Sequence, residues 1–327
     1  MSWAKIMAKS GPLDEFERIA RFFAPLAGPG AMGLKDDVAL IDGPAGTQYV
    51  LKTDAIVAGV HFFPDDPPRQ IAQKLLRVNL SDLAAKGAAP LGYLLVTALT
   101  AACDEAWLAE FSAGLAEDQR RYGLALLGGD SVRIDGPALL SATVIGQVAT
   151  GTALLRGGAR AGDTLYMTGT LCDAALGLTA LKGGLAALSR AHRDHLVARY
   201  RLPRPRLDIG RALVGIAGAA MDISDGLVAD LGHLAEASGV AAIVETARLP
   251  LSDAARATLD GDPALIQSIL TGGDDYEILF TAPAAAAERL AELAVTPIGR
   301  IEAGHGVVAL NPKGEPIAVE RDGYRHF

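Results

Sequence analysis

Cysteine is nearly missing from this sequence: 327 residues contain two, Cys103 and Cys172. Neither belongs to a CxxC pair or stands at ligand spacing from a histidine. That excludes a disulfide framework and a zinc site, and it leaves two reduced core thiols, as expected in a cytoplasmic protein. Long apolar runs are missing too. The longest, around Gly92 to Cys103, is too short to span a bilayer, so no membrane partner is expected. No apolar stretch of signal-peptide type follows Met1-Ser2-Trp3-Ala4-Lys5. Positive charge is in deficit, with 30 Lys and Arg against 38 Asp and Glu and a net charge of −8. Such a balance disfavours a nucleic-acid partner held through phosphates. The sequence has no G-x-x-x-x-G-K-[ST] loop, no kinase-type H-R-D or D-F-G set and no fixed-period repeat.

What is present is a chain that is half hydrophobic, long enough for two domains of ordinary size. The turn-rich connector Gly157 to Asp163 places the boundary just before it, giving 1–150 and 151–327. A first helix is expected from Leu13, Phe16, Ile19, Ala20 and Phe23. Strands are expected at Val38–Ile41 and Tyr49–Leu51, the second closed by Thr53-Asp54. A buried strand is expected at Gly92–Leu99, and a short one at Leu124–Leu127 running into Gly128-Gly129-Asp130 as a turn. The second half mixes helices and strands without strict βαβ alternation, so the fold class is α+β in each domain.

The stretch from Lys74 to Gly87 organises the first domain. Leu, Ala, Lys and Arg predict a helix that Gly87 stops. Ile71, Leu75, Leu76, Val78, Leu80, Leu83 and Ala84 make it apolar nearly all round, and such a helix is buried. Asn79 and Asp82 nevertheless lie inside that run, on one face. A buried carboxylate is costly unless it is paired or bound to a metal. Asp82 therefore either pairs structurally, with Lys86 as a candidate, or holds a cation. Five other acidic turns argue for the cation: Asp36-Asp37, Thr53-Asp54, Gly129-Asp130, Asp222 with Asp225, and Asp274-Asp275. Each alone is an ordinary turn former or helix cap. Gathered together, two carboxylates about 4 Å apart repel by roughly 4 kcal/mol at an effective dielectric near 20, so a cluster needs cations. Oxygen ligands without His or Cys select a hard ion, Mg²⁺ before Ca²⁺, and Mg²⁺ shares its remaining positions with phosphates.

Read in order, these segments resemble the thiamine-monophosphate kinase family. The resemblance rests on Asp36-Asp37-Val38-Ala39, Thr53-Asp54 with Gly59-Val60-His61-Phe62, and Val78-Asn79-Leu80-Ser81-Asp82-Leu83-Ala84-Ala85. It continues with Gly128-Gly129-Asp130-Ser131, Asp222-Ile223-Ser224-Asp225-Gly226-Leu227, Gly272-Gly273-Asp274-Asp275-Tyr276-Glu277 and the ending Gly323-Tyr324-Arg325-His326-Phe327. It implies a two-domain fold of the aminoimidazole-ribonucleotide-synthetase type, with mixed sheets and flanking helices. It also implies a homodimer through the N-terminal domains, and transfer of a phosphoryl group from ATP to thiamine monophosphate with several Mg²⁺ ions. By the family's motifs, Asp37, Thr53, Asp54, Asp82, Asp130, Asp222 and Asp225 are metal positions, with Asp82, Asp130 and Asp225 the catalytic ones. Gly129, Asp130, Arg156 and Ser224 match nucleotide contacts. His61 and Asp274 match thiamine-phosphate contacts, with Tyr324 and Arg321 as further candidates.

Two positions depart from the family's pattern: Lys35 where glycine is common, and Lys52 where a small hydroxyl residue is common. Each puts an ammonium beside expected metal ligands. Lys52 is either solvated or a tethered cation standing where a Mg²⁺ would. Aminoimidazole-ribonucleotide synthetase and a non-catalytic nucleotide-binding homologue are the competing readings. Selenophosphate synthetase lacks support, because no cysteine precedes Cys103, and so does the hydrogenase-maturation relative, because the chain ends in Phe327.

Overall fold

A computed structural model describes residues 17, 19–319 and 323. The expected first helix falls partly outside these residues. From Ile19 the described chain makes a π-helical turn, Ile19–Phe23, and then two short 3₁₀ segments.

The first sheet holds β1 (Ala39–Asp42), β2 (Thr47–Val57), β3 (Ala89–Leu99), β4 (Ala125–Arg133) and β5 (Leu139–Ala149). Its order is β1-β2-β5-β3-β4, antiparallel except for the parallel β3–β4 pair. Between β2 and β3 runs α1 (Pro68–Ala85), and between β3 and β4 runs α2 (Glu105–Tyr122). Asp104 caps α2 by accepting the Trp107 N–H, and Gly123 ends it in the left-handed region.

The second sheet holds β6 (Thr164–Thr168), β7 (Ala219–Asp222), β8 (Ala241–Glu245), β9 (Ile278–Ala282), β10 (Val295–Glu302) and β11 (Gly306–Leu310). Its order is β11-β8-β10-β6-β9-β7, with β8–β11 parallel. The helices of this half are α3 (Asp173–Leu181), α4 (Arg190–Arg201), α5 (Leu207–Leu213), α6 (Leu227–Ser238), α7 (Asp253–Gly261), α8 (Ile266–Thr271) and α9 (Ala287–Leu290). Mixed sheets with helices beside them make both halves α+β.

The all-round apolarity of α1 has a simple cause. The helix lies between the two sheets, touching β2, β3 and β5 on one side and β7, β9 and α5 on the other. Every residue from Ile71 to Ala85 is buried, including Lys74, Arg77, Asn79 and Asp82. Its apolar side chains join one core that continues into Ala220, Ile278 and Phe280 of the second half. A second core, around Leu165, Met167, Leu231 and Leu279, fills the far side of the second sheet.

Three expectations need correction. Thr53-Asp54 does not close β2; the strand runs on to Val57, paired with β5 throughout. Gly128-Gly129-Asp130 is not a turn but the middle of β4, pairing with Leu94, Leu95 and Val96. Gly129 is required there by close approach, since a Cβ would stand 1.8 Å from the Leu95 carbonyl oxygen. Nor is β3 buried on both faces, because Leu94 and Val96 are exposed. Strands β8 and helices α7 and α8, not expected from the sequence, complete the second half.

Candidate active site

Strand alternation sets the first part of the site. Lys52 and Asp54 are two apart on β2 and share the face toward α1, while Thr53 turns to the other face. There Thr53 donates to the Ala142 carbonyl and accepts from Thr143 across the strand pair. On α1, Asn79 Oδ1 accepts the backbone N–H of Asp54 at 2.9 Å, and its amide donates to the Leu75 carbonyl. That pins β2 against the helix and brings the Lys52 ammonium 3.1 Å from Asp82 and 3.3 Å from Asp54.

The turn before β1 supplies the next carboxylates. Lys86, at the end of α1 and fully buried, pairs with Asp36 at 2.9 Å and Asp37 at 2.6 Å, and donates to the Ala220 carbonyl. Arg156 Nη2 donates to Asp37 Oδ1, and the Arg156 backbone N–H donates to Asp36. Lys86 therefore does not pair with Asp82; the partner of Asp82 is Lys52. Lys35 is exposed and makes no ion pair with these carboxylates among the described residues.

The second half contributes Asp222, at the end of β7. Asp37, Asp82 and Asp222 each offer a carboxylate oxygen, all within 4.8 Å of one another. Among the described residues no lysine or arginine forms an ion pair with Asp222. The electrostatics follow from burial and neighbours. Burial pushes Asp222 up to about 6, and Asp37 adds to the shift. Asp82 is raised by burial and by Asp222, Asp54 and Asp37, against the pull of Lys52. Burial would raise Asp37 as well, but Lys86, Arg156 and Lys52 outweigh it and hold its carboxyl well below the usual range. Burial would discharge Lys52, yet Asp82, Asp54, Asp37 and Asp222 hold its ammonium protonated well above the usual lysine value. Three converging oxygen donors at the seam of two domains suit a hard divalent cation such as Mg²⁺.

The loop after Asp222 is built around a residue that the sequence reading missed. Asp230, buried on α6, accepts the backbone N–H groups of Ser224, Asp225 and Gly226 at 2.9, 3.0 and 3.1 Å. The Ser224 carbonyl in turn accepts the N–H of Asp274. Gly273 packs so tightly here that a Cβ would lie 2.2 Å from the Ser224 oxygen. Gly323 lies against the Asp225 carbonyl and Ala229; Tyr324 and Arg321 lie outside the described residues.

His61 and Asp274 come together through Lys74. Its buried ammonium binds the His61 carbonyl at 2.8 Å and Asp274 at 3.1 Å, and stands 3.7 Å from the centre of the Tyr200 ring. The His61 ring nitrogen Nδ1 accepts the Val57 N–H. Tyr276 also donates to Asp274. Asp130 stands apart: β4 is an exposed edge strand, three strands from β2 and so roughly 14 Å away at the usual strand spacing. The chain alone does not bring Asp130 or Thr53 into the Asp37–Asp82–Asp222 trio. No signal local to the sequence marks Lys74 or Lys86 as site residues, except that a lysine in a helix apolar all round must find a carboxylate or carbonyl.

Both halves match models of AIR synthase related proteins, the N-terminal domain over residues 35–148 and the C-terminal domain over 160–311. That class joins two α+β domains across one seam, as here. Thiamine-monophosphate kinase from Caulobacter vibrioides is 42% identical over 97% of this chain and 92% of its own length. The Escherichia coli K12 enzyme is 40% identical over 96% and 98%. The solved structure of AaThiL complexed with AMPPCP and TMP superposes with a TM-score of 0.86 at 30% identity, covering 100% of this chain and 99% of that one. The chain belongs to the thiamine-monophosphate kinase family of enzymes.

Proposed function

We propose that this protein transfers the terminal phosphoryl group of ATP directly to the phosphate of thiamine monophosphate, giving ADP and thiamine diphosphate. The observation that carries the reading is the convergence of Asp37, Asp82 and Asp222 at the seam between the domains, in a chain of this family. The acceptor is a phosphate oxygen, already anionic, so no general base is needed; positioning and charge neutralisation suffice. Asp37, Asp54, Asp82, Asp222 and Asp225 would hold Mg²⁺, with Thr53 and Asp130 reached from the other face of the first sheet. Mg²⁺ held there would supply charge neutralisation for the phosphates. The chain's own residues do the rest. Asp230 fixes the Ser224 loop, Gly129 and Arg156 approach the nucleotide phosphates, and His61, Asp274 and Tyr324 receive the thiamine phosphate.

Lys52 is the tethered cation of this centre. Asp36, Asp37, Asp54, Asp82 and Asp222 face Lys52, Lys86 and Arg156. With Asp225 of the neighbouring loop, carboxylates outnumber these cations, and the excess negative charge calls for divalent ions. An ammonium is a compact point charge able to take such a place.

A homodimer through the first sheet fits the same reading. Edge strand β4 exposes Leu126, Leu127 and Val132, and β3 beside it exposes Leu94 and Val96. An exposed apolar edge is normally covered, and a second copy covering it would bring the Asp130 face of one sheet toward the other.

The test is incubation with ATP, Mg²⁺ and thiamine monophosphate, with products separated by chromatography. Thiamine diphosphate and ADP should form one for one with no phosphorylated protein on the path, and thiamine itself should be a poor acceptor. Absence of turnover in the folded, nucleotide-binding protein would instead favour the non-catalytic homologue, which the Lys52–Asp82 pair makes worth separating.

A further inference from the structure

Away from the acidic centre, a cavity of about 710 Å³ opens between α1, α2 and the 202–206 segment that joins α4 to α5. Arg77, which lines it, and Asp82 are five residues apart on α1, so their side chains project roughly 140° apart. In a chain with a net charge of −8, this wall is strongly positive. Arg77, Arg121, Arg204, Arg206 and Arg211 all line it, with Tyr122 between them.

Three of the five are neutralised within the chain. Arg77 forks onto Asp118 at 2.7 and 2.9 Å, Arg206 binds Glu277 at 2.6 Å, and Arg211 pairs with Asp208. Arg121 and Arg204 form no ion pair among the described residues, and both are exposed to the cavity side. Burial and the nearby Arg199, Arg206 and Arg121 push the Arg204 guanidinium below its ordinary value. Glu277 also acts on Arg204 but is already bound by Arg199 and Arg206, so the like charges of Arg121 and Arg204, without a carboxylate at ion-pair distance among the described residues, favour an anion.

We propose that this cavity is a second ligand site, for a small molecule bearing a diphosphate group bound by Arg121 and Arg204. Each guanidinium presents a planar fork that matches phosphate oxygens, and two forks match two phosphates. The volume falls in the range of small-molecule sites, roughly 300–1,000 Å³, and exceeds what an inorganic anion fills. The Tyr122 ring, with the guanidinium carbons of Arg121 and Arg77 at 5.4 and 5.9 Å from its centre, offers a face for a planar group on the same ligand. The ligand would tie α2 to the 202–206 segment. Arg77 already binds that segment at the Pro203 carbonyl, and Arg206 at its end holds Glu277, close in sequence to Asp274.

The test is calorimetric titration at low salt with EDTA present, which removes metal-dependent phosphate binding at the acidic centre. Inorganic pyrophosphate and ADP are titrated into wild type and into Arg121→Gln/Arg204→Gln. Wild type should bind one pyrophosphate per chain, at least tenfold tighter than the double variant, whose melting temperature and kinase turnover stay unchanged. ADP binding tighter than pyrophosphate, and weakened by Tyr122→Leu, would identify an organic diphosphate as the ligand; equal binding would identify the diphosphate alone. No binding to wild type, or equal binding to the double variant, would overturn the proposal.

Discussion

The two domains bring carboxylates to the same seam but answer them differently. On the N-terminal side, Asp36, Asp37, Asp54 and Asp82 are met by formal cations, Lys86, Lys52 and Arg156. On the C-terminal side, Asp274 takes its cation, Lys74, from the first domain, Asp222 has no ion pair among the described residues, and Asp230 is met by three backbone N–H groups. A buried carboxylate needs either an opposite charge or oriented dipoles. The N-terminal carboxylates are answered by charge, Arg156 of the second domain included, which leaves them little demand for further cations; the Ser224 loop is held by dipoles, which shape it without cancelling the charge that a metal would bind. The demand for metal therefore concentrates where Asp222 approaches Asp37 and Asp82.

The largest effect should come from breaking that meeting point. Asp82→Asn should lose about a hundredfold or more in turnover, the scale of removing a group that stabilises transition-state charge. It should stay folded and melt no lower in EDTA, because a repelling charge is gone. Near-wild-type turnover at saturating Mg²⁺ would make Asp82 structural. Next comes the charge-paired side. Lys86→Met leaves Asp36 and Asp37 with Arg156 alone, and urea unfolding without metal should show a loss of about 3–5 kcal/mol. An unchanged midpoint would mean that the buried pair contributes nothing. The dipole-paired side should be less sensitive. Asp230→Ala frees three N–H groups of a loop, and the same experiment should show a loss of about 1–3 kcal/mol, with Asp230→Asn milder. A cost equal to that of Lys86→Met would erase the contrast.

The smallest effect concerns Asp275, which accepts the N–H groups of Cys172 and Ala174 and which burial pushes up to about 8. A carboxyl raised in the folded state binds its proton there more tightly than when unfolded, so its contribution to stability falls as pH rises from about 4 through about 8. Asp275→Asn removes that titration. The melting temperature of the variant relative to wild type should therefore rise across this window; a constant difference would show that Asp275 does not titrate there.

Much of this site was legible in the sequence, for identifiable reasons. The period of an α-helix exposed the oddity of Asn79 and Asp82 in an apolar cylinder, and the departure from the family's pattern singled out Lys52. The motif order led to the family. What was not legible depends on contacts distant in sequence. Lys86 turns to Asp36 and Asp37 because the turn before β1 lies at the end of α1. Lys74 reaches Asp274 because the second domain closes on the helix. Asp230 is a different case: it reaches back to the Ser224, Asp225 and Gly226 N–H groups just before its own helix, a contact with no motif to mark it. Gly128-Gly129-Asp130 read as a turn because glycine usually breaks strands, whereas here the β3 backbone approaches Gly129 too closely for a side chain at that position.

Lys52 gives the most direct measurement. Mg²⁺ is titrated by calorimetry, with the non-hydrolysable ATP analogue AMPPCP present, into wild type, Lys52→Ser and Lys52→Met, and the initial rates with ATP are read over the same range. With the ammonium standing in for an ion, Lys52→Ser should bind one more Mg²⁺ per chain than wild type, with a steeper rate dependence and a higher half-saturating concentration. Lys52→Met, which fills the space without charge, should be slower than Lys52→Ser at high Mg²⁺. Identical stoichiometries and identical rate curves for all three proteins would contradict the account and make Lys52 a bystander in the acidic centre.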